Sequence, residues 1–446
     1  MTRDRIFSWL RWLYPGLGVK RWLVVTIVGV LLLVNGIDRY LVAVGLRFHI
    51  NEVLDSIVSD YFSPSYLSWI FGLLGIVAIL FGIRQWLRAI IRASAMGGRN
   101  RIVDRLLEMR LRNGYKIVAI GGGTGLSTLL RGLKSRTTNL TAVVTVSDDG
   151  GSSGRLQKEL GVLPPGDIRN CLVALADDEA LVTDLFQYRF KEGDGLTGHS
   201  FGNLFLAAMT GITGNFDEAI KESSRVLNVK GRVLPSTLGV VRLCATLEDG
   251  SVLEGESNIS KARSRIDKVY FDPPFAAPLD EVIAAIREAD AIVLGPGSLF
   301  TSIVPNLLVD RIAREVSTAS AVKMYVCNVM TQPGETDSMA ASEHVAALLA
   351  NAGERVCDYV IVNDQLPSRL LGAYAQEGQT PVVADLDRIK AMGLQPVRAQ
   401  VISETMNVRH DPSRLAQVVL TIIDRAVAQR ASYVKAAPDR DVNAIV

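Results

Sequence analysis

The chain has 446 residues, of which 48% are hydrophobic, and its mean hydropathy is +0.24. Its formal net charge is only +2 and it lacks a basic run interleaved with aromatic residues, so the composition argues against a nucleic-acid-binding protein. Its length allows one large or two ordinary domains, and the four widely spaced cysteines, without a Cys-x-x-Cys pair, indicate buried free thiols in a reducing compartment.

Two apolar segments lie near the start of the chain. The first covers residues 22–37 and continues more weakly to residue 46, and the second covers residues 66–83 without a charge. Each approaches the roughly 20 residues that a helix needs to cross a bilayer. We therefore expect residues 1–83 to form a two-helix membrane hairpin, with spans at about 22–46 and 66–83. A cleaved signal peptide is the alternative for the first segment, although no small-residue cleavage site follows it.

The distribution of Lys and Arg predicts how this hairpin is oriented. Five basic residues precede the first segment, two lie between the segments, and six follow the second before residue 106. Because basic residues stay on the cytoplasmic side, we expect both termini and the main domain in the cytoplasm, at the inner or plasma membrane. Residues 84–114 form a basic connector, either a surface helix on anionic lipid or a solvated linker helix. Residues 431–446 are expected to be a flexible tail.

From residue 115 to about 430, strand and helix patterns alternate, which predicts an α/β fold with a Rossmann-like, doubly wound, mainly parallel sheet. Residues 117–120 form a short buried strand, glycines 121–123 and Gly125 follow, and leucines then recur at helical spacing. Such a strand–turn–helix unit brings backbone N–H groups close to a phosphate. It matches neither G-x-G-x-x-G nor Walker A. A turn that only packs a helix on the sheet is therefore the alternative.

A second strand, residues 141–146, ends in a loop rich in glycine, serine and aspartate. A loop at the carboxyl edge of a parallel sheet is where such folds bind ligands. Asp148 and Asp149 are candidates to bind a ribose or a divalent cation such as Mg²⁺, or they belong to an ordinary acidic turn. The next turn opens a helix, with Asp167 as its expected N-cap. His199 is a candidate general acid or phosphate donor, or a structural hydrogen-bonding residue.

The strand at residues 291–294 runs into Gly295, Pro296, Gly297 and Ser298, which repeats the design of the first glycine loop. We expect the two loops to face each other across a topological switch point and to share one ligand. Two further strands, residues 322–327 and 359–362, are each followed by an asparagine, Asn328 and Asn363, at the same edge.

Five segments occur in a fixed order and carry a resemblance to a known family. They are Ile-Gly-Gly-Gly-Thr-Gly at 120–125, Ser-Asp-Asp-Gly-Gly-Ser-Ser-Gly-Arg at 147–155, Pro-Pro-Gly-Asp-Ile-Arg-Asn at 164–170, Gly-His-Ser-Phe-Gly-Asn at 198–203 and Gly-Pro-Gly-Ser-Leu-Phe-Thr-Ser at 295–302. Together they resemble the gluconeogenesis-factor family of bacteria, which is similar in fold to 2-phospho-L-lactate transferase of coenzyme F420 synthesis. The resemblance covers roughly residues 115–430.

This resemblance implies a cytoplasmic α/β protein that binds UDP-N-acetylglucosamine and influences cell shape and the supply of peptidoglycan precursors. The related transferase uses a guanylated phospholactate donor, a deazaflavin acceptor and Mg²⁺. The leading hypothesis is therefore a membrane-anchored nucleotide-sugar-binding regulator, and the alternative is a phosphoryl-transfer enzyme. A protein partner in amino-sugar synthesis and a homodimer are the protein interactions expected, with no nucleic acid.

The hypothesis assigns roles to particular residues. The predicted ligand-binding residues are Gly121, Gly122, Gly123, Thr124, Gly125, Asp148, Asp149, Ser152, Ser153, Arg155, Asn203, Gly295, Gly297, Ser298 and Asn306. If the protein is an enzyme, the catalytic candidates are Asp149, His199 and Arg155. Asp148 and Asp149 are the candidate Mg²⁺ ligands.

Overall fold

The computed structural model describes residues 19–43, 64–94, 109, 111–177, 179–262, 264–404 and 407–436. The chain divides into two compact units, Met1–Arg112 and Asn113–Val446. The expected segments before residue 19, between residues 44 and 63, over most of the connector, and from residue 437 onward lie outside the described residues.

Two helices form the described part of the first unit: α1, Val19–Ala43, and α2, Pro64–Ser94. They pack antiparallel, because Trp22 of α1 meets Phe81 at a ring-centroid distance of 5.6 Å and Tyr40 meets Trp69 at 6.1 Å. Helix α2 continues past residue 83, where the sequence placed the end of the second span. Among the residues that the structure describes, no helix combines the length and the apolarity needed to cross a membrane.

The second unit is built on a seven-stranded parallel sheet. Twelve strands occur in its described residues: β1 Ile117–Gly121, β2 Leu140–Val144, β3 Arg232–Pro235, β4 Arg242–Leu247, β5 Val252–Glu254, β6 Ile266–Asp272, β7 Ala291–Leu294, β8 Val322–Val326, β9 Tyr359–Asn363, β10 Gln395–Ala399, β11 Ile402–Glu404 and β12 Val408–His410. The main sheet has the order β10-β9-β8-β7-β1-β2-β3, with all neighbours parallel. Strands β5-β4-β6 form a small antiparallel sheet, and β11-β12 form a hairpin.

Helices cover both faces of the main sheet. The described helices of the second unit are α3 Gly123–Leu133, α4 Gly151–Leu160, α5 Gly166–Leu175, α6 Glu179–Gln187, α7 Phe201–Thr213, α8 Phe216–Val226, α9 Glu256–Ile259, α10 Asp280–Glu288, α11 Val304–Leu308, α12 Ile312–Thr318, α13 Ala341–Ala352, α14 Leu371–Gln376, α15 Leu386–Ala391 and α16 Pro412–Ala436. Alternate residues of β1 enter separate apolar cores, Val118 and Ile120 in one and Ile117 and Ala119 in the other. Burial on both faces explains why the central strands are continuous apolar runs. The α/β, Rossmann-like prediction is therefore confirmed.

The strand order reverses at β1, which pairs with β2 on one side and with β7 on the other. Crossovers leave the sheet in opposite directions from this point, so the loops that follow β1 and β7 open a crevice between them. Helix α16 continues through residue 431 to Ala436, so the first six residues of the expected tail are helical. The expectation that Asp167 caps its helix is wrong. Pro165 holds the N-cap position of α5, and Asp167 lies in its first turn.

Candidate ligand-binding site

A cavity of about 600 Å³ lies at the carboxyl edge of the main sheet. Its lining combines residues 122–125 after β1, residues 296–298 after β7 and residues 328–332 after β8. It also includes residues 407–410 of the β11–β12 hairpin and part of α14. The cavity therefore occupies the switch point at which the sequence placed a shared ligand.

The two glycine loops touch one another at the floor of this cavity. A Cβ atom on Gly125 would lie 2.5 Å from the carbonyl oxygen of Pro296 and 2.9 Å from Cα of Gly297, so only glycine fits. Gly123 has a φ of +62°, which favours glycine for conformational reasons. The N-cap of α3, Gly122, has no side-chain hydrogen bond. The predicted meeting of the two loops is confirmed, and it places the N-terminus of α3 at the cavity.

Three of the predicted ligand residues around these loops support the backbone rather than line the cavity. Gly121 is the last residue of β1, and Gly295 turns the chain after β7 with a φ of +80°. The buried Asn306 amide donates to the carbonyl oxygens of Gly121 at 3.0 Å and Ser302 at 2.8 Å. Asn306 therefore fixes the end of β1 to the π-helical turn Leu299–Ile303.

Acidic side chains gather beside the first glycine loop. Asp148 accepts a hydrogen bond from the backbone of Gly150 at 2.9 Å, and Asp149 accepts one from the backbone of Ser257 at 2.9 Å. Asp167 and Glu256 line the cavity itself. Loss of solvation, followed by the negative charge of Asp148, raises the pKa of Asp167 to about 7 and that of Glu256 to about 9. Near neutral pH, Glu256 therefore stays protonated and Asp167 is only partly ionised, so both carry less negative charge than free carboxylates, which favours an anionic ligand.

The acidic side chains beside the first glycine loop include the two residues predicted from the sequence to bind Mg²⁺, Asp148 and Asp149. Within the described part of the chain, no three His, Cys, Asp or Glu side chains are arranged to hold a metal ion. Magnesium commonly takes one or two protein carboxylates together with ligand phosphates and water. Asp148 and Asp167, which repel each other beside the glycine loop, are the carboxylates that fit this smaller role. Asp149 is engaged with the backbone at the start of α9.

The remaining predicted residues form a second, buried polar network outside the cavity lining. The hydroxyl of Ser152 lies 2.9 Å from Nδ1 of His199 and accepts a hydrogen bond from the Asn203 amide at 3.1 Å. Arg169 donates to Asn203 at 2.9 Å. Burial, followed by the nearby Arg155, lowers the pKa of His199. A neutral imidazole held in this way supports the structural interpretation of His199.

Two other predicted residues belong to the same region. Ser153 lies 3.5 Å from the Asn203 amide, and Arg155 donates to the carbonyl of Thr197 at 2.9 Å. Arg155 therefore ties α4 to the loop before α7. The ligand residues predicted from the sequence thus separate into a cavity group and a structural group.

Several cavity residues were missed by the sequence analysis. Gln332 donates to the Ser298 hydroxyl at 2.8 Å and accepts from Asn328 at 3.1 Å, which joins the edges of β7 and β8. Tyr374 on α14 accepts a hydrogen bond from the backbone of Val408 at 3.0 Å, and Arg409 follows on the hairpin. No sequence motif marks Gln332, Tyr374 or Arg409 as cavity residues. Asn363 ends β9 at the predicted edge, but it does not line the cavity and donates to the carbonyl of Gln365 at 2.7 Å.

Comparison with known proteins identifies the family of this domain. The model of the family described as 2-phospho-L-lactate transferase CofD matches residues 117–402. The gluconeogenesis factor of Bacillus subtilis is 52% identical over 310 residues, which cover 69% of this chain and 98% of that protein. The chain belongs to the gluconeogenesis-factor family.

Members of this family differ in what accompanies the α/β domain. A relative from Nostoc sp. is 49% identical over 427 residues, which cover 94% of this chain, so the match extends into the first unit. A crystal structure of a UPF0052-family protein from Bacillus halodurans matches with a TM-score of 0.67 and 47% identity over 69% of this chain and 99% of that one. The α/β domain therefore exists as an independently folded protein in other gluconeogenesis factors.

Proposed function

We propose that the second unit binds a nucleotide sugar, UDP-N-acetylglucosamine, and acts as a ligand-dependent regulator of cell shape and peptidoglycan precursor supply. The observation that carries this proposal is the contact between the two glycine loops, Gly125 against Pro296 and Gly297, at the floor of the cavity. Backbone N–H groups at the start of a helix favour phosphate oxygens. The cavity volume lies in the range of small-molecule sites, about 300–1,000 Å³.

The other cavity residues supply contacts for the rest of such a ligand. Arg409 provides a guanidinium for a diphosphate, and Tyr374 provides an aromatic ring with a hydroxyl for a base or sugar. Protonated Glu256 would donate a hydrogen bond to a ligand oxygen. If Mg²⁺ accompanies the diphosphate, Asp148 and Asp167 would hold it, and the ion would neutralise phosphate charge.

Titration calorimetry on the fragment 113–446 tests this proposal. UDP-N-acetylglucosamine is expected to bind, and UDP and N-acetylglucosamine alone are expected to bind more weakly, because each occupies part of the cavity. GDP is the control for the base. Absence of heat and of a thermal shift at millimolar UDP-N-acetylglucosamine would contradict the proposal.

We also propose that the first unit anchors the protein to the cytoplasmic membrane. Its two packed helices expose large apolar side chains, among them Leu31 at 64%, Leu73 at 67% and Leu80 at 63%. Such surfaces are unfavourable in water and favourable in lipid. Sedimentation of the full chain with membranes, resistant to high salt and released by detergent, is expected, whereas the fragment 113–446 is expected in the supernatant. Recovery of both in the supernatant would contradict the anchor.

A transferase activity is the second candidate, because the matching family model is that of 2-phospho-L-lactate transferase. Phosphoryl-transfer chemistry needs mainly positioning and charge neutralisation, and Mg²⁺ held by the acidic residues beside the first glycine loop would supply the neutralisation. Incubation with a guanylated phospholactate donor and a deazaflavin acceptor tests this candidate. Product that forms with the wild-type protein and is lost with Asp148→Asn, in a variant that stays folded, would favour an enzyme over a regulator.

A further inference from the structure

His410 is a cavity residue with an unused hydrogen-bonding atom. It is the last residue of β12, and its side chain lines the cavity although only 8% of the residue is exposed. The chain beyond it packs on α3, because a Cβ on Gly132 would collide with the carbonyl oxygen of Pro412. His410 is therefore held beside the helix whose N-terminus faces the proposed phosphate position.

The contacts of the His410 ring determine which of its nitrogens carries the hydrogen. The ring donates a hydrogen bond to the backbone of Cys327, directly after β8, and Nε2 is buried without a partner among the described residues. The donor is therefore Nδ1, which needs its hydrogen to bond the carbonyl oxygen. Burial lowers the pKa of His410 to about 4, so the ring is neutral near neutral pH. A neutral ring with its hydrogen on Nδ1 presents a lone pair at Nε2.

The other two histidines of the second unit do not present such an atom to the cavity. His199 contacts Ser152 through Nδ1 and lies outside the cavity lining. His344 on α13 resembles His410 more closely, because its Nδ1 lies 3.0 Å from the carbonyl oxygen of Ala340 and its Nε2 is buried without a partner. It too lies outside the cavity lining. His344 is therefore a matched control for the loss of a buried histidine.

The unpaired Nε2 atom of His410 needs a hydrogen-bond donor. A buried acceptor without a partner is unfavourable, and a ligand that donates to it removes that cost. Ionised phosphate oxygens are acceptors and would be repelled by the lone pair, whereas hydroxyl and amide groups are donors. In a nucleoside diphosphate sugar, the ribose hydroxyls and the substituent at C2 of the hexose flank the diphosphate. The adjacent residue Arg409 supplies a guanidinium for that diphosphate.

We propose that Nε2 of His410 accepts a hydrogen bond from a hydroxyl or amide group of the ligand that lies beside the diphosphate, and that this contact selects nucleoside diphosphate sugars over ligands that offer only phosphate oxygens there. The inference rests on the proposed function, because it assigns one contact within the same cavity. The bond to Cys327 fixes the ring and its hydrogen before the ligand arrives. The acceptor is therefore preorganised, and less ordering is needed on binding.

Calorimetry of the fragment 113–446 with UDP-N-acetylglucosamine tests this contact. His410→Phe keeps a planar ring but removes the acceptor, and it is expected to raise the Kd about tenfold. His410→Gln, whose amide oxygen can reach the position of Nε2, is expected to recover most of the affinity, and His344→Phe is expected to bind as the wild type does. Circular dichroism establishes that each variant is folded. Equal affinities for His410→Phe and wild type would overturn this inference alone, whereas a wild-type fragment that does not bind would overturn the proposed function as well.

Ligand analogues identify the group that donates to His410. The 2′-deoxyribose and 3′-deoxyribose forms of UDP-N-acetylglucosamine each lack one ribose hydroxyl, and UDP-2-deoxyglucose lacks the substituent at C2 of the hexose. One of these analogues is expected to bind the wild-type fragment about tenfold more weakly than UDP-N-acetylglucosamine. The same analogue is expected to lose little affinity for His410→Phe, because both changes remove the same hydrogen bond. Equal losses from both proteins for every analogue would overturn the inference.

Nitrogen NMR of the labelled histidine side chains gives a measurement that does not depend on the effect of a substitution. The fragment 113–446 contains three histidines, and the spectrum of His410→Phe assigns the signals of His410. In the wild-type fragment, Nδ1 is expected to carry a hydrogen and Nε2 none. UDP-N-acetylglucosamine is expected to shift the Nε2 signal without protonating it. A ring that becomes protonated on both nitrogens when the ligand binds would place a phosphate against His410 and overturn the inference.

Discussion

The carboxylate of Asp167 fills the space that a side chain on Gly122 would occupy. It also accepts a hydrogen bond from the N–H of Gly123, so it fixes the glycine loop from one side of the cavity. Similar relationships occur nearby. A Cβ on Gly166 would lie 2.7 Å from the Asp148 carboxylate, and one on Gly255 would collide with that of Asp149. Each of these glycines makes room for an acidic side chain.

This packing predicts different effects for two adjacent glycines. Gly122 has an extended backbone with a φ of −167°, which alanine also adopts. Gly122→Ala therefore causes no backbone strain, and its effect comes only from the steric clash of the added methyl group. The methyl group must displace Asp167, which is expected to lower the unfolding free energy by about 1–3 kcal/mol and to weaken UDP-N-acetylglucosamine binding at least about tenfold. A Cβ on Gly121 meets atoms only at 3.7 Å or beyond. Gly121→Ala is therefore the matched control, expected to retain binding.

Denaturant unfolding and calorimetry of both variants check this prediction. Equal affinities for Gly121→Ala and Gly122→Ala would show that the carboxylate contact does not shape the loop.

The sequence predicted the parts of the fold that depend on local pattern. The strand Ala291–Leu294 has the predicted bounds, since an apolar run that ends in glycine is determined locally. The shared glycine-loop site follows from the rule that parallel strands place their carboxyl ends at one edge. Tyr374 and Arg409 could not be found in this way. They reach the cavity only because α14 and the β11–β12 hairpin fold over it, through an apolar cluster that includes Val329, Ile402 and Val408.

The polar residues around the start of α4 show a second limit of sequence reasoning. Asp148 and Ser152 lie four residues apart in one segment rich in glycine, serine and aspartate, Asp148 in the loop and Ser152 in the first turn of α4. Asp148 lies beside the cavity group, whereas Ser152 contacts His199. Which direction a side chain takes depends on the helix packed against it, here α7. A local motif therefore identifies the loop but not the role of each residue in it.

The pKa of Glu256 predicts how stability depends on pH. An unfolded glutamate titrates near 4.3, whereas burial and the neighbouring carboxylates raise the pKa of Glu256 to about 9 in the folded protein. Between these values the folded state retains a proton that the unfolded state has lost, so the unfolding free energy falls as the pH rises. Glu256→Gln is expected to flatten this dependence. It is also expected to raise the unfolding free energy at pH 8.5 by at least about 1.4 kcal/mol, the equivalent of one pKa unit.

Urea denaturation of the fragment 113–446 from pH 5 to pH 9 provides the measurement. Glu354→Gln, on the exposed turn after α13, is the control and is expected to follow the wild-type curve. Since Asp167 also titrates in this range, a smaller slope is expected to remain in Glu256→Gln. Parallel curves for Glu256→Gln and wild type would contradict the prediction.

The buried network predicts that Asn203 contributes to stability and not to ligand binding. Its amide donates to Ser152 and its carbonyl accepts from Arg169. Asn203→Ala leaves these buried groups without partners, which is expected to cost about 1–3 kcal/mol of unfolding free energy. Affinity for UDP-N-acetylglucosamine is expected to change less than about twofold. Asn258→Ala, which removes an exposed hydrogen bond to the carbonyl of Glu254, is the control. Lost affinity with unchanged stability would return Asn203 to the ligand-binding group.

Arg409 gives the most direct test of the cavity as a diphosphate site. It is the one Lys or Arg among the described residues that line the cavity, where the other ionisable side chains are Tyr374, His410 and the acidic residues Asp167, Glu256 and Glu377. A hydrogen bond to a charged group contributes about 1.5–3 kcal/mol, so Arg409→Gln is expected to raise the Kd for UDP-N-acetylglucosamine by about tenfold to a hundredfold. The wild-type affinity is expected to fall with added salt, and that of Arg409→Gln is expected to respond less, because one charge pair has been removed.

Arg225→Gln, at an exposed site on α8 that pairs with Glu222, controls for loss of surface charge. Equal affinities and equal salt dependence for Arg409→Gln and wild type would place the diphosphate away from the β11–β12 hairpin.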